Sequence, residues 1–373
     1  MKILVDLTAL DDNFSGIERY AASLALEMIK REEYSFILVF KNQVHPLLKK
    51  EIGRSNVTDV VIKGKNKLVF NQVRLPLLLG TIDADYYVFL AFPVPILLLK
   101  RNMVSTIHDI SCWDCPETMK KLSKWYFRIS HKIAMKKCRN IITISEFSKI
   151  RIRDRLHYPE KKIWKIYCGT DDKFQNFVKE EVVWQGIREK YHLPENYILS
   201  LSTLEPRKNL ELLLKAYQEL FLSGKLTRPL LLAGRMGWKM EKFLDTIDNS
   251  VREKIYLTGF IQEEDIPYLY SGADFFVFPS QYEGFGLPPL EAMVCGTPVL
   301  SSDAASLPEV LGDAAIYFKS NNIDSLKNAL CNMDNHLLEM KSKIVESGRK
   351  QAEEYSWGRE AGKLLEFLSE SMV

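Results

Sequence analysis

Short apolar runs alternate with amphipathic stretches from one end of the chain to the other. Runs at 3–6, 36–40, 86–90, 103–107 and 140–144 predict one series of buried strands. Runs at 197–202, 229–233, 254–257, 275–278 and 298–301 predict a second. Between them apolar positions recur at helical spacing, as in Ile17, Tyr20, Ala21, Leu24 and Met28. Alternation of this kind predicts an α/β fold, with parallel sheets covered by helices on both faces. The two series part near 167–171, and residues 172–192 read as a polar, weakly patterned crossing between domains. A chain of 373 residues is too long for one compact core, which agrees with two domains. The last amphipathic stretch, 357–368, has no strand after it and suits either of them.

Charge and cysteine usage narrow the setting. With 51 basic and 48 acidic residues the net charge is +3, which gives no general pull toward nucleic acid. Six scattered cysteines predict reduced thiols and a cytoplasmic protein. Cys112 and Cys115 form a CxxC with no second ligand pair, so they read as structural thiols and not as a metal or redox site. No secretory signal is read at the N-terminal end, where Met1–Asp6 is already strand-like. The uncharged stretch 86–99, broken by Pro93 and Pro95, is too short to span a bilayer and reads as a strand followed by a loop. Segment 120–139 holds eight basic residues and no acidic one. Leu122, Tyr126, Ile129 and Ile133 form its predicted packing stripe, with Lys120, Lys124, Arg128, Lys132 and Lys136 around the rest. Such a helix either rests its basic face in solvent or lies against anionic lipid on the inner face of the plasma membrane.

Three strand-to-helix junctions carry unusual residues, at the place where open α/β sheets bind anionic ligands. In the first, Ser15 and Glu18 have capping-box spacing and Gly16 leaves room at a helix end. A dinucleotide loop is disfavoured there, because GxGxxG is absent. In the second, Arg207 and Lys208 stand beside a helix N-terminus that Asn209 is suited to cap. Two cations next to a positive helix end call for an anion, and a diphosphate fits. The third runs from Gln281 to Ala292: Gly284 and Gly286 allow close backbone approach, and Pro288 suits a first helical turn. Glu283 and Glu291 are both able to face one ligand and accept hydrogen bonds from sugar hydroxyls.

From Thr258 to Gly312 the chain resembles the retaining glycosyltransferases of family 4, which have the two-domain GT-B fold. The residues concerned are Gly259-Phe260, 270–274, 283–291, Gly296-Thr297-Pro298-Val299 and Leu307-Pro308-Glu309-Val310. Residues 15–20, 106–109, 205–209 and 232–235 extend the likeness over nearly the whole chain. The resemblance implies two Rossmann-like parallel-sheet domains facing a central cleft: 1–170 with a returning helix at 356–373, and 171–355. It implies that Arg207 and Lys208 hold a donor diphosphate and Glu291 the ribose. Glu283 and the backbone of Gly284, Phe285, Gly286 and Leu287 would hold the donor sugar. It further implies that Gly16 lies over the diphosphate, that His108 touches the sugar near the reacting carbon, and that the base rests near Phe260 and Ile261. Transfer would then retain anomeric configuration, with fixed cations in place of a divalent metal. Asp83-Ala84-Asp85 matches a metal-binding DxD but reads as the polar entry to a strand.

GDP-mannose is the favoured donor, because residues 15–20 and 106–109 resemble bacterial mannosyltransferases of the family. A saccharide or lipid-linked saccharide in surface polysaccharide assembly is the expected acceptor. A UDP- or dTDP-sugar transferase, an epimerase or a non-catalytic nucleotide-sugar-binding subunit stays open. Donor-only turnover marks the epimerase, and binding without turnover the subunit.

Overall fold

The computed structural model describes the chain except residues 11–15, 66–69, 176, 204, 236–243 and 372–373. The loop with Ser15 therefore lies outside the described residues, as does Leu204. The chain divides into two compact units, Met1–Gly169 with Ser356–Val373, and Thr170–Tyr355.

In the first unit, strands β1 (Lys2–Asp6), β2 (Ser35–Lys41), β3 (Val57–Ile62), β4 (Tyr86–Phe89), β5 (Met103–Thr106), β6 (Asn140–Thr143) and β7 (Ile163–Lys165) form one sheet in the order β3-β2-β1-β4-β5-β6-β7. Every pairing is parallel. The apolar face of α1 (Gly16–Met28) buries Tyr20, Ala21, Leu24 and Met28 at the predicted spacing. Asp85 stands at the entry to β4, where its side chain accepts from the Lys2 amide at 2.7 Å and its own amide donates to the Lys2 carbonyl. That is the strand-entry role predicted for it, at the end of the sheet opposite the loops that bind ligands.

Helix α2 (Leu75–Thr81) precedes β4, and α3 (Lys121–Lys137) precedes β6. The orientation of α3 corrects half of the predicted stripe: Ile133 packs on the core and Tyr126 is half-buried, but Leu122 and Ile129 are not. Its buried side chains are Ser130, His131 and Ala134, while Leu122 is 87% and Ile129 51% exposed. The helix is turned toward the short segment Ser111–Asp114, where Arg128 Nε donates to the Cys112 carbonyl at 2.8 Å and His131 Nδ1 lies 3.8 Å from Cys112 Sγ. These polar partners, invisible to a hydrophobic periodicity, decide which face packs. Cys112 and Cys115 are buried and in no disulfide, and burial pushes the Cys112 pKa up to about 12.

The second unit has six parallel strands: β8 (Ile198–Leu201), β9 (Leu230–Ala233), β10 (Ile255–Gly259), β11 (Phe275–Phe278), β12 (Val299–Ser302) and β13 (Ile316–Phe318). They run in the order β10-β9-β8-β11-β12-β13. The stretch read as a weakly patterned crossing instead contains helix α4 (Glu181–Tyr191), which buries Trp184 and Ile187. Two anchors three residues apart suffice to seat a short helix whose other positions stay polar. Helices α5 (Leu210–Leu222), α6 (Ile266–Gly272), α7 (Leu287–Val294), α8 (Leu307–Leu311) and α9 (Ile323–Glu353) cover the sheet.

After Tyr355 the chain re-enters the first unit, where α10 (Trp357–Glu370) packs against α1. The Trp357 ring meets Tyr20 edge-on at 5.8 Å, and Glu360, almost fully buried, accepts from the Tyr167 amide at 2.9 Å.

Candidate functional site

Strand order in the second unit reverses between β8 and β11: the chain moves outward through β9 and β10 on one side, and through β12 and β13 on the other. In open parallel sheets this switch point leaves a crevice at the carboxyl ends of the strands. The loops that follow β8 and β11 meet there. Gln281 donates its amide hydrogen to the Arg207 carbonyl at 2.9 Å, and the Ser280 hydroxyl reaches the same oxygen at 3.3 Å.

The charged side chains of the two loops form one network. Arg207 Nη1 donates to the Tyr282 carbonyl at 2.8 Å and to Glu283 Oε2 at 3.2 Å, and its Nη2 lies 3.4 Å from Glu205. Lys208 Nζ is 2.7 Å from Glu283 Oε1 and lies over the Phe278 ring at 5.2 Å. Ser280 Oγ donates to the same carboxylate. Burial pushes the Glu283 pKa up, but the Lys208 and Arg207 charges and two hydrogen bonds outweigh it and hold the carboxyl below its ordinary range. Ser306 Oγ, 3.0 Å from both the Glu283 and Phe285 carbonyls, fixes the loop that presents it.

This arrangement revises the local argument for an anion. The two cations next to a helix start are compensated by a protein carboxylate, Glu283, together with Glu205. Asn209 also departs from expectation. It stands before α5 in a left-handed conformation (φ 55°) without capping it, and its side-chain amide donates to Asn321 Oδ1 at 3.1 Å. The backbone from Gly284 leads into α7, whose first turn contains Pro288 as predicted. Gly286, with φ of +104°, starts that helix, and a Cβ there would come 2.6 Å from Leu307 Cδ2.

Glu291, on α7, is 3% exposed and accepts from the Tyr270 hydroxyl at 3.1 Å. Phe260 is 44% exposed with the Arg235 guanidinium 4.5 Å from its ring centre, whereas Ile261 is buried. The sequence argument gave Arg235, Ser280 and Ser306 no role. Arg235 does follow Gly234, whose φ is +127° and where a Cβ would sit 2.0 Å from the Ser202 carbonyl oxygen. That glycine is what lets the loops after β8 and β9 approach.

In the first unit the strand order reverses between β1 and β4. Gly16 is exposed at the start of α1 beside this edge. His108, just after β5, has Nε2 2.9 Å from the Leu90 carbonyl, which follows β4. A carbonyl only accepts, so Nε2 bears hydrogen and Nδ1 of the neutral ring is the acceptor. Burial lowers the His108 pKa to about 4, against the pull of Asp109, and Tyr20 packs edge-on at 5.1 Å. An NMR titration should therefore show His108 neutral from pH 8 to about 5. Its folded pKa lies below the unfolded value of 6.5, so its contribution to stability is lost as pH falls from about 6.5 toward 4. A midpoint near 6.5 in the folded protein would contradict this geometry.

Among the described residues, no group of three or more His, Cys, Asp or Glu side chains is arranged to hold a metal ion.

Comparison with known proteins covers both units. Residues 14–174 match the model described as Glycosyltransferase Family 4, and residues 186–351 the one described as Glycosyl transferases group 1. The chain is 36% identical over 269 residues to the O-antigen chain mannosyltransferase B of Escherichia coli, spanning 69% of this chain and 67% of that protein. It is 30% identical over 236 residues to the O-antigen chain mannosyltransferase RfbU of Salmonella typhimurium, spanning 63% of this chain and 62% of that one. Its fold is similar to that of Anabaena Alr3699/HepE, solved in complex with UDP-glucose (TM-score 0.73, 17% identity, 99% and 100% of the two chains). Two parallel-sheet units of the GT-B type, matched by family models from residue 14 to residue 351, place this chain in glycosyltransferase family 4: it is a glycosyltransferase.

Proposed function

We propose that the protein transfers mannose from GDP-mannose, with retention of configuration and without a divalent metal, to a saccharide or lipid-linked saccharide in O-antigen-type polysaccharide assembly. The observation that carries this reading is the buried Arg207–Lys208–Glu283 network at the switch point of the second sheet, in a chain 36% identical to an O-antigen mannosyltransferase.

Breaking the bond between the anomeric carbon and the diphosphate leaves charge on the departing nucleotide. Arg207 and Lys208, with the amides that open α7, are suited to stabilise it as it develops. The acceptor oxygen bonds to the anomeric carbon on the face the phosphate leaves, and its proton passes to the leaving phosphate oxygen. Glu283 and the 284–287 backbone would orient the sugar, Glu291 the ribose, and the exposed Phe260 with Ile261 the base. Gly16 and His108 enter this reading through the family resemblance. A neutral His108 fits a positioning role better than that of a base. The protein would work in the cytoplasm, and segment 120–139 is the part suited to an anionic inner-membrane face.

The test supplies GDP-mannose, other GDP-sugars, UDP-sugars and dTDP-sugars in turn, with a mannose-terminated acceptor and with chelator present or absent. Transfer from GDP-mannose alone, undiminished by chelator and giving the α-linked product, is the expected result. Preference for a UDP-sugar, a chelator-sensitive rate restored by magnesium or manganese, or a β-linked product would each overturn it.

A further inference from the structure

The loop after β10 runs without regular structure from Phe260 to Asp265 and is tied at both ends. At its start the Gly234 amide donates to the Gly259 carbonyl at 2.8 Å, joining the end of β10 to the loop after β9. At its far end a turn closes, with the Asp265 amide donating to the Gln262 carbonyl at 3.0 Å. The hydroxyl of Tyr191, the last residue of α4, bridges that turn. It accepts from the Gln262 amide at 3.2 Å and donates to Asp265 Oδ2 at 2.8 Å. Lys190 Nζ lies 2.6 Å from the same oxygen. Phe260 and Ile261 are thus held between two anchors.

Asp265 stands at the N-cap of α6, where an aspartate ordinarily bonds the open amides of its own helix. Its side chain makes no such bond and turns to α4 instead, although the residue is buried. Glu263 is also paired, with Lys173 at 2.5 Å, but both side chains are 32% exposed and such a pair constrains a loop weakly. The Tyr191 hydroxyl differs: one atom, used as donor and as acceptor, fixes the backbone between two residues three apart.

We infer, resting on the role proposed for Phe260 and Ile261, that Tyr191 is a positioning residue for the nucleotide base and thereby for donor selectivity. A short segment that reads the edge of a base tolerates little displacement, because hydrogen bonds weaken steeply away from good length and angle. Anchored at one end only, it would have to be ordered by the ligand, at a cost to affinity. The effect belongs to the base. Arg207 and Lys208, at the diphosphate end, have their own partners in the loop after β11.

The experiment compares the full chain with its Tyr191→Phe variant by steady-state kinetics and by titration with GDP, UDP and pyrophosphate. The variant keeps the ring and loses only the hydroxyl. Asp265 retains Lys190 and Gln262 is exposed to water, so Tm should fall by about 5 °C or less. Affinity for GDP should fall about fivefold to tenfold, and the donor KM should rise by the same factor with kcat unchanged. The preference for GDP over UDP should narrow, while pyrophosphate, which has no base, binds both proteins alike. Asp265→Asn, whose amide oxygen still accepts from Tyr191, should keep the wild-type KM. Unchanged GDP affinity in Tyr191→Phe, an equal loss for pyrophosphate, or a lower kcat with KM unmoved, as a purely structural role gives, would overturn the inference and leave the base reading standing. Wild type that binds GDP and UDP equally would sink the base reading and Tyr191's role with it. Wild type that prefers UDP, with that preference narrowed in the variant, would overturn the GDP donor and leave Tyr191 in its role.

Discussion

Glu283→Gln should lower the melting temperature of the second unit and make stability depend on added nucleotide. The substitution keeps the side chain's shape but leaves Lys208 and Arg207, 88% and 79% buried at their side chains, without their shared countercharge. Removing one partner of a buried ion pair costs about 3 kcal/mol or more, which for a unit of this size is on the order of 10 °C in Tm. A nucleoside diphosphate brings its own negative charge to the same cations. GDP should therefore raise the Tm of the variant by more than it raises that of wild type, while transfer falls because the sugar loses an acceptor of its hydrogen bonds. The pH dependence follows the same sign. A carboxyl whose folded pKa lies below the ordinary 4.5 contributes stability that is full above that value and is lost as pH falls through the folded pKa. The acid limb of the wild-type stability curve should thus flatten in the variant. Differential scanning fluorimetry with and without GDP, from pH 3.5 to 8, reads all of this. An unchanged Tm would mean the network contributes nothing, and equal GDP shifts in both proteins would separate these cations from the diphosphate.

The sequence exposed the central strands because central strands of parallel sheets are apolar on both faces. Phe275-Phe276-Val277-Phe278 is the clearest case, and all four side chains are buried. It hid β3, β7 and β13, each of which closes an edge of its sheet. An edge position lowers burial, as in β3, where Val61 is 40% exposed, but does not alone hide a strand: β10, also at an edge, was read from the run at 254–257. Helix α3 misled for a related reason. Its packing face is turned by contacts of Arg128 and His131 with Cys112, so of the stripe Leu122, Tyr126, Ile129 and Ile133 that periodicity favoured, Ile133 packs on the core while Leu122 and Ile129 lie in the open.

The candidate site was legible as residue types at junctions and opaque as a network. Arg207 and Glu283 are 76 positions apart, and nothing local announces that one carboxylate holds both cations. Ser280 and Ser306, which hold that carboxylate and its loop, are ordinary residues until the strand order brings β8, β11 and β12 side by side. Arg235 beside Phe260 belongs to the same class, since only the close approach at Gly234 gives its position meaning.

Arg207→Ala with Lys208→Ala should abolish the GDP-induced thermal shift and lower kcat/KM about a thousandfold or more, since each fixed donor to a developing anion contributes roughly a hundred- to thousandfold. Lost transfer alone would not distinguish chemistry from architecture, because these changes also strand Glu283 as a buried carboxyl without its cations. A double-mutant cycle separates the two. Lys208→Met and Glu283→Gln should each destabilise singly, and together should destabilise less than the sum, because the second change removes the charge that the first left unpaired. Transfer should not follow that recovery. If Lys208 serves only to hold the loop after β11, the double variant binds GDP and transfers as Glu283→Gln alone does. If it neutralises the departing diphosphate, the stable double variant falls well below Glu283→Gln alone in both transfer and GDP affinity. Steady-state kinetics and GDP titration on the same preparations decide between them, and a double variant as active as Glu283→Gln would remove Lys208 from the chemistry.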